Sequence, residues 1–175
     1  LALLALGDLG SKDPRYLEQL EKWLVDSSPL QHICRHAAAD VIASHSEQYD
    51  IPISSIGEVI QQGDHYTIRQ LCAYLEARKL LNEDIVDPFI ERLRECSPKI
   101  ASELCWRLTF ITEIDPQHDL VIRKHFETGS GNCKFNAARA LSRVAEIELD
   151  DPAVEFLLNQ MRWGDDWTRS MSALA

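Results

Sequence analysis

Turn signals recur along this chain at a nearly constant interval, and that interval limits the folds open to it. Ser28-Pro29, Gly63-Asp64, Ser97-Pro98, Gly131-Asn132 and Gly164-Asp165 begin 35, 34, 34 and 33 residues apart. A period in this range marks a repeat architecture, in which one supersecondary unit stacks on copies of itself. A second punctuation falls between the first. Asp13-Pro14, Asp50-Ile51-Pro52, Asp115-Pro116 and Asp151-Pro152 each set a capping carboxylate ahead of a proline suited to a first helical turn. In the third unit Asp84 and Asp87-Pro88 both qualify, and the two stay open.

Between these marks lie segments with the three- and four-residue spacing of a single helix face. After the Asp-Pro steps, Tyr16, Leu17, Leu20, Trp23 and Leu24 follow it, as do Phe89, Ile90 and Leu93, then Val154, Leu157, Leu158 and Met161. After the turn signals comes a second set, richer in alanine. It comprises Ile33, Ala37, Ala38 and Val41; Ile68, Leu71, Cys72 and Leu75; Leu104, Leu108 and Ile111; and Ala137, Ala138, Leu141 and Val144. No stretch sustains the alternation of a half-buried strand. Leucine and alanine, with 22 and 16 residues, lead the helix-propensity scale, while only seven glycines leave few sites for tight strand turns.

A pair of short helices cannot bury its apolar faces alone, whereas pairs stacked at a fixed offset share one core. The expected fold is therefore all-α, an α-solenoid of about five antiparallel helix pairs forming a single domain over residues 1–175. The units fall near 13–48, 50–82, 84–114, 115–149 and 151–175, and residues 1–10 read as the end of an earlier one. Both ends of the chain read as cuts through a longer array.

Two other repeat classes fit this period less well. A tetratricopeptide first helix needs a Leu-Gly that Tyr16 to Trp23 does not supply, and the ankyrin Thr-Pro-Leu-His string is absent. The second helices instead resemble the HEAT family, with its turn Asp, its apolar-Arg pair, an Ala three residues later and an Ala-Leu-Gly close. Cys34-Arg35 with Ala38, Ile68-Arg69 with Cys72, Cys133-Lys134 with Ala137 and Leu141, and Thr168-Arg169 with Ser172 carry the resemblance. Asp26, Asp64 and Asp165 stand in the turns, and Ala5-Leu6-Gly7 is similar to a repeat close. The third unit, Ser97 to Ala101, lacks the Arg. The turn Asp and the second-helix Arg or Lys are expected to pair in a ladder along the stack, since such charges are tolerated in a core only when partnered.

Charge narrows the partners. Eighteen basic against 28 acidic residues give a formal charge of −10, the wrong sign for a surface that neutralises nucleic-acid phosphates. The longest apolar run, Leu1 to Leu6, is far short of the roughly 20 residues that span a membrane. Cys34, Cys72, Cys96, Cys105 and Cys133 form no closely spaced pair, and the odd count fits reduced, mostly buried thiols of a cytoplasmic protein.

Few residue groupings carry chemistry. His32 and His36, four apart on a second helix, share one face in a geometry that can hold zinc. A third ligand would have to come from Asp40 or a neighbouring repeat, and no Glu follows His32 as a protease motif requires. An exposed polar helix face accounts for the pair, so neither a metal nor a cofactor is expected. Gly129-Ser130-Gly131 lacks the following Lys-Ser/Thr of a phosphate loop and reads as an inter-helix turn. Glu146, Glu148, Asp150 and Asp151 form an acidic corner ahead of a helix, where the helix dipole favours negative charge. Two Trp and two Arg between Met161 and Arg169 match the composition of binding hot spots. Core packing is nevertheless the first expectation for Trp163 and Trp167, with a partner surface second.

The functional expectation is a scaffold or sensor module that binds a protein or peptide on the concave face of its stacked second helices. His36, Asp40, Arg78, Asn136 and Arg143 are its candidate contacts because they fall off the apolar stripes, with Trp163 and Trp167 beside them. The acidity suits a basic partner through steering. HEAT-like arrays often resemble regions attached to NTPases of the NACHT type, which implies a larger parent protein. The alternative is an enzyme: the short, Ala-rich units are similar to the phycobilisome-lyase subset, whose members attach or detach bilins. No catalytic residue is assigned. A HEAT-like DNA glycosylase needs a basic groove, which the charge balance opposes.

Overall fold

Each expected unit carries one helix pair. The computed structural model describes residues 14–25, 32–145 and 147–175; Asp13, Asp26, Ser28-Pro29, Glu146 and residues 1–10 lie outside them. Among the described residues the chain is all-α and has no strand. It gathers into two compact units, Leu1–Leu80 and Leu81–Ala175. The first holds α1 (Pro14–Val25), α2 (His32–Ser44), α3 (Ile53–Gln62) and α4 (His65–Ala77). The second holds α5 (Val86–Arg94), α6 (Pro98–Leu108), α7 (Asp119–Thr128), α8 (Gly131–Leu141), α9 (Pro152–Trp163) and α10 (Asp166–Ala173).

Packing alternates in both units. In the first, α1 packs on α2 and α3, and α4 packs on α2 and α3. In the second, α5 packs on α6 and α7, α8 packs on α6, α7 and α9, and α9 packs on α10. Small residues line the second helices: Ala38 and Ala39 in α2, Ala101 in α6, and Ala137, Ala138 and Ala140 in α8 are all buried. Leu20, Leu24, Ile68, Leu71, Cys72, Leu75, Phe89 and Leu93 complete the apolar faces read from the sequence. Other assignments to those faces fail. Ile33 is 79% exposed, and Leu158 and Met161 are also exposed, so the buried face of α9 rests on Ala153 and Leu157.

Two of the turn signals work through a shared device. Gly63 ends α3 by donating its N–H to Val59 O at 2.6 Å, and Asp64 then caps α4 by accepting from Thr67 N at 2.8 Å. Gly164 closes on Gln160 O at 2.9 Å, and Asp165 caps α10 through Thr168 N at 2.8 Å. Glycine is needed for close approach at these positions. A Cβ on Gly63 would meet Val59 O at 2.8 Å, and one on Gly164 would meet Gln160 O at 2.6 Å. Gly63→Ala should cost about 1–3 kcal/mol, the usual range for overpacking, read as a lower urea midpoint with an unchanged slope. A loss below about 0.5 kcal/mol would show that α3 and α4 part freely there.

The Asp-Pro steps are less uniform. Asp151 caps α9, accepting from Ala153 N at 2.8 Å. Asp115 instead caps a one-turn 3₁₀ segment, Pro116–His118, that leads into α7. Asp50 caps nothing: Pro52 precedes α3, and the Asp50 carboxylate meets Arg78 at 3.2 Å. In the third unit neither open candidate caps the helix. Asn82 caps the turn Glu83–Ile85 by accepting from Asp84 N, and Asp87 lies inside the first turn of α5.

Two polar ties fasten the connections. The buried Tyr74 hydroxyl donates to Tyr49 O at 3.2 Å and accepts from Ile51 N at 3.0 Å, pinning the strand-like entry to α3. An isolated parallel bridge, Ile114 N–H to Arg143 O at 2.7 Å and Ala145 N–H to Ile114 O at 2.9 Å, joins the segments after α6 and α8. All five cysteines are free, and burial pushes the Cys105 thiol well above its ordinary value.

Candidate functional site

A dense side-chain network lies where α2 and α4 face each other. His32, His36 and Asp40 follow one another at four-residue steps along α2 and so share a face. From α4 come Asp64, its capping residue, with Tyr66 and Gln70 in the first two turns. His32 Nε2 lies 2.7 Å and His36 Nε2 2.6 Å from the same carboxylate oxygen, Asp64 Oδ2. The other oxygen, Oδ1, accepts the Thr67 N–H at 2.8 Å. Thus the helix cap fixes one side of the carboxylate while two imidazoles converge on the other.

The electrostatics favour a charged Asp64. Burial by itself would raise its pKa, but the Thr67 N–H, His36, the Thr67 side chain and His32 together hold it well below the usual carboxylate range. Ring contacts tighten the cluster: the His32 and His36 centroids are 4.0 Å apart, and those of His36 and Tyr66 4.6 Å. Asp40 Oδ1 accepts from Tyr66 Oη and from Gln70 Nε2, both at 2.6 Å. The bond to Asp40 is the main reason the exposed Tyr66 phenol sits above its ordinary pKa, and it stays a donor.

These contacts correct the expected ladder at Asp64 and Asp165. Asp64 reaches back to the preceding second helix and not to Arg69 in its own, and Asp165 is used by Thr168 N. Arg169 meets Asp166 at 3.9 Å, one residue beyond the turn Asp. No family model matches the chain, and neither a curated protein nor a solved structure does. Its chemistry must be read from its own geometry.

Of the seven residues singled out from the sequence, the structure joins His36 and Asp40 in this one network. Arg78 ends α4 and meets Asp50. In the other unit Asn136 is buried, not displayed, and donates to Ser102 O at 3.0 Å and Oγ at 3.2 Å. Arg143 donates to Leu174 O at 2.8 Å. Trp163 overturns the packing expectation, standing 84% exposed at the end of α9. Trp167 is 53% exposed, with its ring 5.7 Å from that of Phe135. Tyr66 and Gln70 escaped the sequence reading. Their signal was the period itself, since they stand 34 residues after His32 and His36.

The acidic corner borders an open cleft of about 470 Å³ with Pro116, Asp119 and Arg123. Its central charges are mutually satisfied. Arg123 Nη2 lies 2.7 Å from both Asp119 Oδ1 and Asp151 Oδ2, so the group reads as a clasp between α7 and the start of α9.

Proposed function

We propose that this chain is a HEAT-like α-solenoid segment that binds a protein or peptide partner. Support for the architecture comes from the packing of the first two helix pairs in each unit, where the first helices lie on each other and so do the second helices. The observation that carries the binding role is Trp163. A large aromatic side chain held 84% in water is unusual in a chain whose other apolar residues mostly pack, and tryptophan is the residue type most enriched at binding hot spots. Met161, Leu158 and Trp167 are also exposed on the same helix pair, and Met161 lines a shallow groove with Arg169 and Ser170 of α10. The net charge of −10 favours a partner with a basic surface around an apolar anchor pocket.

Trp163→Ser separates this role from a folding role. The side chain is exposed, so thermal stability should change by no more than about 0.5 kcal/mol. Partner affinity should drop by about 2 kcal/mol or more, roughly 30-fold. Proteins retained by the immobilised wild-type chain at moderate salt should therefore be lost selectively by the variant. Equal retention by both chains, or unfolding of the variant, would remove Trp163 as the anchor.

A further inference from the structure

We propose that His32, His36 and Asp64 form a three-ligand site for a first-row divalent metal ion of the zinc type. The site goes beyond the partner-binding reading and does not depend on it. Its donors, two imidazole nitrogens and one carboxylate oxygen, lie within 4.8 Å of one another and meet at one point in the α2–α4 face. Two histidines at i and i+4 present their nitrogens to the same side of a helix, which is the spacing zinc sites use. The third donor comes from the next repeat, the source that the sequence left open.

The donor set selects the ion. Imidazole nitrogen with a single carboxylate suits zinc and its neighbours, whereas calcium and magnesium require oxygen shells. Two neutral imidazoles and one carboxylate carry −1 against the +2 of the ion, which leaves the assembly open to water or an anionic group at a fourth position. Bonds of about 2.0–2.2 Å in a tetrahedron place ligand atoms roughly 3.3 Å apart. The present Nε2–Oδ2 separations of 2.7 and 2.6 Å must therefore open by about 0.6–0.7 Å. Rotation of the two imidazoles supplies this, since the His32 side chain is 55% and that of His36 28% exposed. The backbone need not move. α2 and α4 are held by their buried faces, Ala38, Val41 and Ile42 on one and Ile68, Leu71 and Leu75 on the other. Asp64 is already oriented for one-oxygen ligation, because the Thr67 N–H occupies Oδ1 and leaves Oδ2 facing the imidazoles. Such outer contacts on a ligand are what preorganise metal sites.

A hydrogen-bonded clasp between repeats uses the same atoms but makes a different forecast. The test is titration of zinc into the reduced, chelator-treated 175-residue chain, followed by calorimetry and by thermal melting. One zinc per chain should bind, and the melting temperature should rise with free zinc, as for any ligand selective for the folded state. Cobalt in its place should give a tetrahedral visible spectrum without a thiolate charge-transfer band. His32→Ala, His36→Ala and Asp64→Asn should each weaken zinc by at least the roughly 10–100-fold that loss of an outer-shell partner costs. Asp64→Asn keeps a helix-capping oxygen, and His32 is an exposed residue, so helicity without metal should be retained in both. Cys34→Ser, which alters the thiol lying between the two histidines, should leave the affinity unchanged. Absence of binding at equimolar zinc overturns the site and leaves the clasp. Binding that survives the double variant His32→Ala/His36→Ala, or that disappears with Cys34→Ser, overturns it equally.

Discussion

Phe89→Ala is expected to lower the stability of the protein by about 3–5 kcal/mol, the cost of removing a fully buried aromatic ring and leaving its cavity. Phe89 lies in the first turn of α5 with no exposed surface, and α5 packs on both α6 and α7. In a repeat unit a residue of this kind serves two interfaces at once, within its own pair and with the next. Its loss cannot be confined to a single hairpin. A domain of this size holds only about 5–15 kcal/mol in total, so the variant should sit near the edge of unfolding at 37 °C. Phe110 provides the contrast. It is half exposed and touches the Trp106 ring edge-on at 5.3 Å, so Phe110→Ala should cost about 0.5–1.5 kcal/mol, the worth of an aromatic pair. Urea melts of the two variants followed by circular dichroism give the comparison. Equal midpoints for both would mean that α5 is not part of the cooperative core.

The contrast between these two phenylalanines also marks what a sequence of this type discloses. Phe89 is readable because Phe89, Ile90 and Leu93 keep helical spacing behind an Asp-Pro step, and all three are buried. The turn signals are readable because Gly63-Asp64 and Gly164-Asp165 combine two local requirements, close backbone approach and a helix cap. Local chemistry of that kind leaves a mark in neighbouring residues. Exposure of an apolar residue on a helix does not. Ile33, Leu158 and Met161 all fit an amphipathic pattern, yet whether each is covered depends on what lies against its helix.

The α2–α4 network was legible in halves. His32 and His36 point to one another through their spacing alone, and Asp64 is marked as a turn residue, but the sequence offers two directions for its carboxylate. Pairing with Arg69 would have followed the HEAT pattern. What decides the other way is geometry: Oδ1 is committed to the Thr67 N–H, and Oδ2 then faces the preceding helix. The repeat itself set the reach of such contacts. His32 to Asp64, Asp40 to Gln70, Ser102 to Asn136 and Arg123 to Asp151 span 32, 30, 34 and 28 residues. A period of 34 therefore forecasts partners one unit away, and it does so without naming which side chains meet.

The same reach governs Arg123, whose removal is the second large effect expected. Its guanidinium binds Asp119 in its own helix through Nε and Nη2, at 2.8 and 2.7 Å, and Asp151 one unit later through Nη2 at 2.7 Å. Both carboxylates are largely screened from solvent, and Asp151 also caps α9. Arg123→Ala should cost about 1–3 kcal/mol, because it strands two charges that the fold holds close together. Arg123→Lys should recover only part of this, since an ammonium cannot span both acids with a planar fork. The pH dependence fixes the sign. Burial pushes Asp151 up, but Arg123 and the Ala153 N–H outweigh it and hold the carboxyl below its ordinary value. The unfolded chain therefore binds a proton before the folded one does, as pH falls through about 4. Asp64 acts in the same direction. Stability from both groups is present above that pH and is lost progressively below it. In Arg123→Ala the part of the Asp151 share that Arg123 supplies is gone at neutral pH already, so the gap between wild type and variant should narrow as the solution is acidified. A gap that stays constant from pH 7 to pH 3 would assign the loss to packing of the Arg123 stem and not to its charge.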